Sequence, residues 1–272
     1  MKKVAVLLST IILSLGLLGC GGDKNEAGDT QNKDNKKKIV VGASPTPHAE
    51  ILKVAKEELK KEGYELEIQP FTDYQIPNRA LEEKQLDANY FQHIPFLEEA
   101  IKQKGYKLTY TEKVHIEPMG LYSKKIKKVE EVKSGAEIAI PNDPANGGRA
   151  LRVLESAGII KLKNGELVTK LDITENKKNI KVTEVDAAQL PRILDDVDAA
   201  VINTNYAIEA SLNPLKDAIV IESKDSPYVN ILAIREEDKE KDYIKALSKA
   251  LTSEKVKKFI EEKYDGNIIP VF

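Results

Sequence analysis

The sequence has no tryptophan, two methionines and a single cysteine in 272 residues. One cysteine, Cys20, excludes an intrachain disulfide and a thiolate metal cluster. The three histidines, His48, His93 and His115, are too scattered along the chain to read as metal ligands, so no metal and no cofactor is expected. There is no GK[ST] phosphate loop, no GxSxG nucleophile elbow and no HExxH helix, and Gly147-Gly148 lacks the GxGxxG frame. With 44 acidic residues, no pair stands out as a general acid and base. These absences point away from an enzyme. Lys and Arg number 42, giving a net charge of −2, and nothing in that balance argues for nucleic acid.

Long apolar runs are also scarce, and the one at Val4–Leu18 follows the basic Lys2 and Lys3. It is too short for a stable membrane span and ends in Leu17-Leu18-Gly19-Cys20, the pattern of a bacterial lipoprotein signal. Residues 1–19 are therefore expected to be a signal peptide and Cys20 the lipidated residue. Acyl chains there would hold the protein to a membrane, since each buried CH2 contributes about 0.8 kcal/mol. Residues 20–38 contain no large apolar side chain before the strand and read as a disordered tether.

The remainder is 41% hydrophobic overall and alternates strand-like and helix-like segments. Lys38–Ala43 reads as a strand covered on both faces, Thr46 as the cap of a helix that starts at Pro47 and ends at Gly63, and Leu66–Pro70 as a second strand. Arg79–Leu86 and Pro95–Lys104 read as helices, Lys107–Ile116 as a strand, and Asp238–Leu251 and Ser253–Tyr264 as closing amphipathic helices. This is an α/β pattern with parallel sheets, and about 230 folded residues favour two lobes.

The stretch Glu137–Leu151 is the focus. A short strand at Ile138–Ile140 runs into Asn142-Asp143-Pro144-Ala145-Asn146-Gly147-Gly148, which reads as turn, and a helix opens at about Asn146 with Arg149 in its first turn. Free N–H groups at a helix start favour an anion, and an arginine there can grip a carboxylate through two hydrogen bonds. Elsewhere Tyr74, Tyr90, Phe91 and His93 cluster in what read as loops, in a chain only 6% aromatic. Core packing is an equally ready reading for any one of them.

Taken in order, several segments resemble the methionine-binding lipoprotein family, the MetQ/NlpA-type substrate-binding components of ABC importers. They are Cys20 with its signal, SPTPHAEIL at 44–52, FTDYQIPN at 71–78, DANYFQH at 87–93, PMGLYS at 118–123, IPNDPANGGRAL at 140–151, NTNYA at 203–207 and YVN at 228–230. The resemblance implies a two-lobed, periplasmic-binding-protein-like α/β fold of type II character. Each lobe would be a mixed sheet flanked by helices, with the ligand between them. Residues 39–117 and 231–272 would form one lobe and 118–230 the other, with hinges near Pro118-Met119 and Tyr228–Asn230. It implies a lipid-anchored monomer on the extracytoplasmic side of the cell membrane that captures L-methionine, or D-methionine, and delivers it to an importer permease and its ATPase.

Within that frame Arg149 takes the ligand carboxylate, helped by N–H groups at Asn146–Gly148. The ammonium requires acceptors, for which Asn203, Asn205 and Asn230 are candidates. Tyr74, Phe91 or Tyr90 provide soft walls for a thioether, with His93 as a polar neighbour; His115 and Met119 are further candidates. The alternatives are the same fold holding another apolar amino acid or a methionine-containing dipeptide, a lipid-anchored hydrolase, and a surface interaction protein.

Overall fold

The computed structural model describes residues 37–272. The expected signal peptide, the expected lipidation of Cys20 and the expected tether up to residue 36 lie outside the described residues. Lys38, placed at the end of the tether by composition, already pairs with Glu65 in the first sheet.

The chain opens with β1 (Lys38–Ala43), α1 (Glu50–Lys61) and β2 (Glu65–Pro70), and β1 and β2 pair in parallel. Ile51, Leu52, Ala55 and Leu59 recur on one face of α1 and are fully buried. Burial of each of the three larger side chains, Ile51, Leu52 and Leu59, contributes about 1.5–3 kcal/mol. Gly63, at φ +86°, takes the left-handed conformation just beyond the helix. Thr46 does not cap through its hydroxyl; it keeps extended angles and donates to Glu50 Oε1 at 3.2 Å.

Then follow α2 (Pro77–Glu82), β3 (Ala88–His93), α3 (Ile94–Lys104), β4 (Leu108–Ile116) and β5 (Gly120–Tyr122). The helix expected over Arg79–Leu86 is thus shifted to Pro77–Glu82. The segment read as a loop, Ala88–His93, is a strand buried at every position. Its polar residues Asn89 and Gln92 are accommodated by an amide cluster with Asn78, in which Asn89 Nδ2 and Gln92 Nε2 both donate to Asn78 Oδ1 (2.9 and 2.6 Å).

The middle of the chain contains β6 (Glu137–Pro141), α4 (Pro144–Ser156), β7 (Lys161–Leu162), β8 (Ile173–Glu175), β9 (Lys181–Val185), β10 (Ala199–Ile202), α5 (Thr204–Glu209), α6 (Pro214–Asp217) and β11 (Val220–Ile221). It closes with β12 (Val229–Arg235), α7 (Asp242–Leu251), α8 (Glu254–Tyr264) and β13 (Ile269–Pro270).

Two main sheets result, ordered β13-β4-β12-β3-β1-β2 and β11-β5-β10-β6-β9, with β7 and β8 forming a separate ribbon. Both are mixed. β12 runs antiparallel to β3 and β4, and β5 antiparallel to β10 and β11, so the expectation of parallel sheets holds only for part of each. The chain passes from the first sheet to the second between Ile116 and Gly120 and returns between Ile221 and Val229. Val229 and Asn230 pair with Ile116 and His115 in the first sheet. Each sheet has its own apolar core, centred on Val41, Leu52 and Leu247 in one and on Ile138, Leu151 and Val201 in the other. Among the described residues no helix is long and apolar enough to cross a membrane.

Candidate functional site

Helix α4 begins at Pro144, two residues earlier than its sequence suggests, with Asp143 as its cap. Gly147 and Gly148 are therefore inside the helix, and Arg149 is in its second turn. The glycines serve close packing instead of a turn. A Cβ at Gly147 would lie 2.9 Å from the Pro141 carbonyl oxygen, and one at Gly148 2.9 Å from that of Val168. The helix-start amides are already engaged, the Asn146 N–H by Asp143 Oδ1 and the Gly147 N–H by the Asp143 carbonyl. They form no anion seat, which leaves the side chains to do that work.

Between the two sheets lies a narrow cavity of about 20 Å³, lined by residues from both. Of the residues singled out from sequence, Tyr74, Phe91, His93, Asn146, Arg149, Asn203, Asn205 and Asn230 line it. Tyr90 does not; it points into the first core, where its hydroxyl meets His115 Nδ1 at 2.5 Å. The choice between Tyr90 and Phe91 is thus decided by the alternation of side chains along β3. His115 and Met119 are fully buried behind the cavity and do not line it.

Arg149 is only 3% exposed. Its Nε and Nη2 donate to Glu222 Oε1 and Oε2 (3.0 and 2.6 Å), and Nη2 also donates to the Glu117 carbonyl at 2.7 Å. The guanidinium thus fastens both segments that cross between the sheets. Its carbon is 4.4 Å from the centre of the Tyr228 ring. Nη1 finds no partner among the described residues.

The amides around it have fixed polarity. His93 Nδ1 accepts the Phe96 N–H that starts α3, so its proton is on Nε2, which donates to Asn146 Oδ1 at 3.1 Å. Burial, with Arg149 nearby, lowers this imidazole to about 3 and keeps it neutral. Asn146 Nδ2 donates to the Asp143 carboxylate (3.1 and 3.0 Å), which orients its Oδ1 to accept Asn203 Nδ2 at 2.7 Å. Asn203 Oδ1 is left buried without a partner. In the opposite sense, Tyr74 donates to Asn205 Oδ1 at 2.5 Å, and Asn205 Nδ2 is left buried and unpartnered. One orphan is an acceptor and the other a donor, and such buried orphans are rare without a reason.

An aromatic box completes the cavity. The rings of Tyr74, Phe91 and Phe96 have centroids 5.8 to 5.9 Å apart, and Tyr206 is 5.0 Å from Tyr74. Phe96, Gln92, Thr204 and Glu117 line the cavity without having been anticipated. Phe96 follows Phe91 by five residues across the Pro95 helix start, and extending the aromatic cluster would have included it. Glu117 is one of many carboxylates and carries no local signal. Burial raises its carboxyl, while His48, Arg149 and a hydrogen bond from the Asn205 backbone N–H oppose the rise.

Two of the histidines read as scattered are in fact neighbours. His48, His115 and Glu117 bring their donor atoms within 4.8 Å of one another, the one such grouping among the described residues. Hydrogen bonds already engage the atoms that would bind an ion, since His115 Nε2 bonds to Glu117 Oε1 at 2.7 Å and His48 Nε2 to Asn230 Oδ1 at 3.0 Å.

Two α/β lobes around a buried cavity that carries both polar and aromatic groups define the periplasmic-binding-protein-like class of fold. The chain belongs to the NlpA lipoprotein family, whose family model matches residues 39–272. It is 43% identical over 271 residues to the D-methionine-binding lipoprotein MetQ of Salmonella typhi, covering 98% of this chain and 97% of that one. It is 44% identical over 278 residues to the methionine-binding lipoprotein MetQ of Bacillus subtilis, covering 100% and 99%. A nutrient-binding protein from Burkholderia cenocepacia, solved bound to methionine, superposes with a TM-score of 0.84 at 48% identity, covering 86% of this chain and all of that one.

Proposed function

We propose that this protein is a lipid-anchored, extracytoplasmic substrate-binding protein that holds one methionine zwitterion between its lobes and hands it to an ABC importer. The carrying observation is the pair of orphaned amide atoms, Asn203 Oδ1 and Asn205 Nδ2, on residues that line the same cavity as Arg149 and the aromatic box. An α-amino acid supplies a donor for the first and an acceptor for the second. In this reading Arg149 Nη1 and Asn205 Nδ2 hold the carboxylate, and Asn203 Oδ1 and the Glu117 carboxylate hold the ammonium. Tyr74, Phe91 and Phe96 enclose the side chain, where sulfur–ring contacts contribute about 0.3–1.5 kcal/mol each.

The lobes follow the two sheets, and the hinges are the two crossing segments that Arg149 fastens. A ligand carboxylate on this arginine would therefore bear directly on closure. The names of the Salmonella and Bacillus relatives and the methionine bound in the Burkholderia structure support methionine as the solute. The relatives' lipoprotein names, together with the Leu17–Cys20 pattern, support anchoring through Cys20.

Calorimetric titration of the full chain with L-methionine, D-methionine, other apolar amino acids and methionine dipeptides tests the reading. Saturable binding of a methionine enantiomer in preference to the rest is expected. Binding of none of them, or turnover of any, would overturn it.

A further inference from the structure

A third amide lines the cavity, and its orientation is set from outside. Asn230 Oδ1 is 3.0 Å from His48 Nε2, while Asn230 Nδ2 has no partner among the described residues. His48 does not itself line the cavity. The direction of the bond follows from the groups behind it. Glu117 Oε1 receives His115 Nε2 at 2.7 Å and lies 3.3 Å from His48 Nε2. A carboxylate only accepts, so His115 Nε2 carries a proton; an unprotonated His48 Nε2 would set its lone pair against the same oxygen, which places the proton of His48 on Nε2 as well. His115 Nδ1 then accepts from the Tyr90 hydroxyl, and His48 Nδ1 is left buried with a lone pair and no partner. Tyr90 packs its ring edge-on against His48 at 4.7 Å and limits how far that ring can turn. With His48 Nε2 a donor, Asn230 must turn its oxygen toward it.

We infer that His48 is a positioning residue that holds Asn230 with its amide nitrogen toward the cavity, giving the site a further donor for a ligand carboxylate. This assignment rests on the amino-acid reading above. It replaces the expectation that Asn230 accepts from the ammonium. Burial lowers His48 to about 4 and His115 to about 3, so neither ring gains a second proton at neutral pH and the relay keeps one direction.

Two measurements on the full chain test it. Long-range proton–nitrogen spectra of histidine-labelled protein are expected to show His48 and His115 as neutral Nε2–H tautomers between pH 6 and 8. A His48 Nδ1–H tautomer overturns the relay whatever the ligand proves to be. In titrations, His48→Phe is expected to weaken L-methionine by about tenfold. L-methioninol, which keeps the ammonium and lacks the carboxylate, should change by less than about threefold, and His48→Gln should recover most of the lost methionine affinity. Equal losses for both ligands, or methionine affinity within about twofold of the parent in folded His48→Phe, overturn the role. If His48→Phe does not fold, His48→Gln and the tautomer spectra decide. A parent protein that binds no methionine defeats the ligand reading alone, and the spectra still settle the relay.

Discussion

Two arginines of this protein are almost equally buried, Arg149 at 3% and Arg235 at 7% exposure, yet they are dressed differently. Arg235 gives Nε and Nη2 to Asp238 (2.7 and 2.6 Å) and Nη1 to the carbonyls of Leu81 and Leu86 (2.8 and 2.5 Å), with Asp87 3.7 Å from Nη2. Every guanidinium nitrogen is engaged, and it joins β12 to the turn after α2. Arg149 has a carboxylate on the same edge, held through both Glu222 oxygens where Arg235 meets only Asp238 Oδ2, but its Nη1 takes no partner among the described residues, and the residue lines a cavity. The complete shell marks a structural group. The incomplete one suits the proposal that the last partner of Arg149 is a ligand carboxylate. The same contrast recurs among amides, between the closed cluster of Asn78, Asn89 and Gln92 and the orphaned ends of Asn203 and Asn205.

Arg235→Ala should produce the largest effect. It strands Asp238 and two buried carbonyls and is expected to cost about 3–5 kcal/mol of stability in denaturant unfolding. Methionine affinity of the protein that remains folded should stay within about twofold. Arg149→Ala should do the reverse, weakening methionine by about 2–5 kcal/mol in calorimetry, with the smaller effect on unfolding. If both substitutions acted alike on stability and affinity, the contrast would collapse. One step down, Asn89→Ala should cost about 1–3 kcal/mol of stability, because it strands groups in a closed network. Asn203→Ala should be felt chiefly as about 1 kcal/mol of affinity.

A separate test concerns pH. His48, His93 and His115 are held neutral in the fold, at about 4, 3 and 3, and ordinary histidines titrate near 6.5. The unfolded chain therefore binds more protons below about pH 6.5, and stability should fall as pH drops from there toward 4. The raised Glu117 and Asp143 carboxyls oppose this at the acid end. The decline in melting temperature should thus set in below about pH 6.5 and continue toward pH 4. A flat profile would mean these rings are not sealed from solvent.

Much of this arrangement was legible in the sequence. The first strand–helix–strand unit, the strand feeding α4 and most cavity residues follow from periodicity, turn chemistry and the resemblance carried by the motifs. What was not legible depended on partners distant along the chain. Ala88–His93 reads as a loop because Asn89 and Gln92 are polar, and only the amide of Asn78 makes their burial possible. Gly147 and Gly148 read as turn because glycine usually signals one, whereas here the Pro141 and Val168 carbonyls exclude any side chain. Glu222, 73 residues beyond Arg149, carries no local mark of its role. The approach of His48 to His115 beside Glu117 is likewise invisible until the fold brings the two rings to 5.1 Å.

The imidazole of His93 has a consequence of its own. One nitrogen tethers the first turn of α3 and the other reaches across to α4. The opening turn of a surface helix and the separation of the two halves are thereby tied to one planar ring. Any widening of the gap that tugs on this ring should loosen the Phe96 amide. The exchange of that single backbone proton with heavy water would then serve as a built-in gauge of how often the molecule gapes.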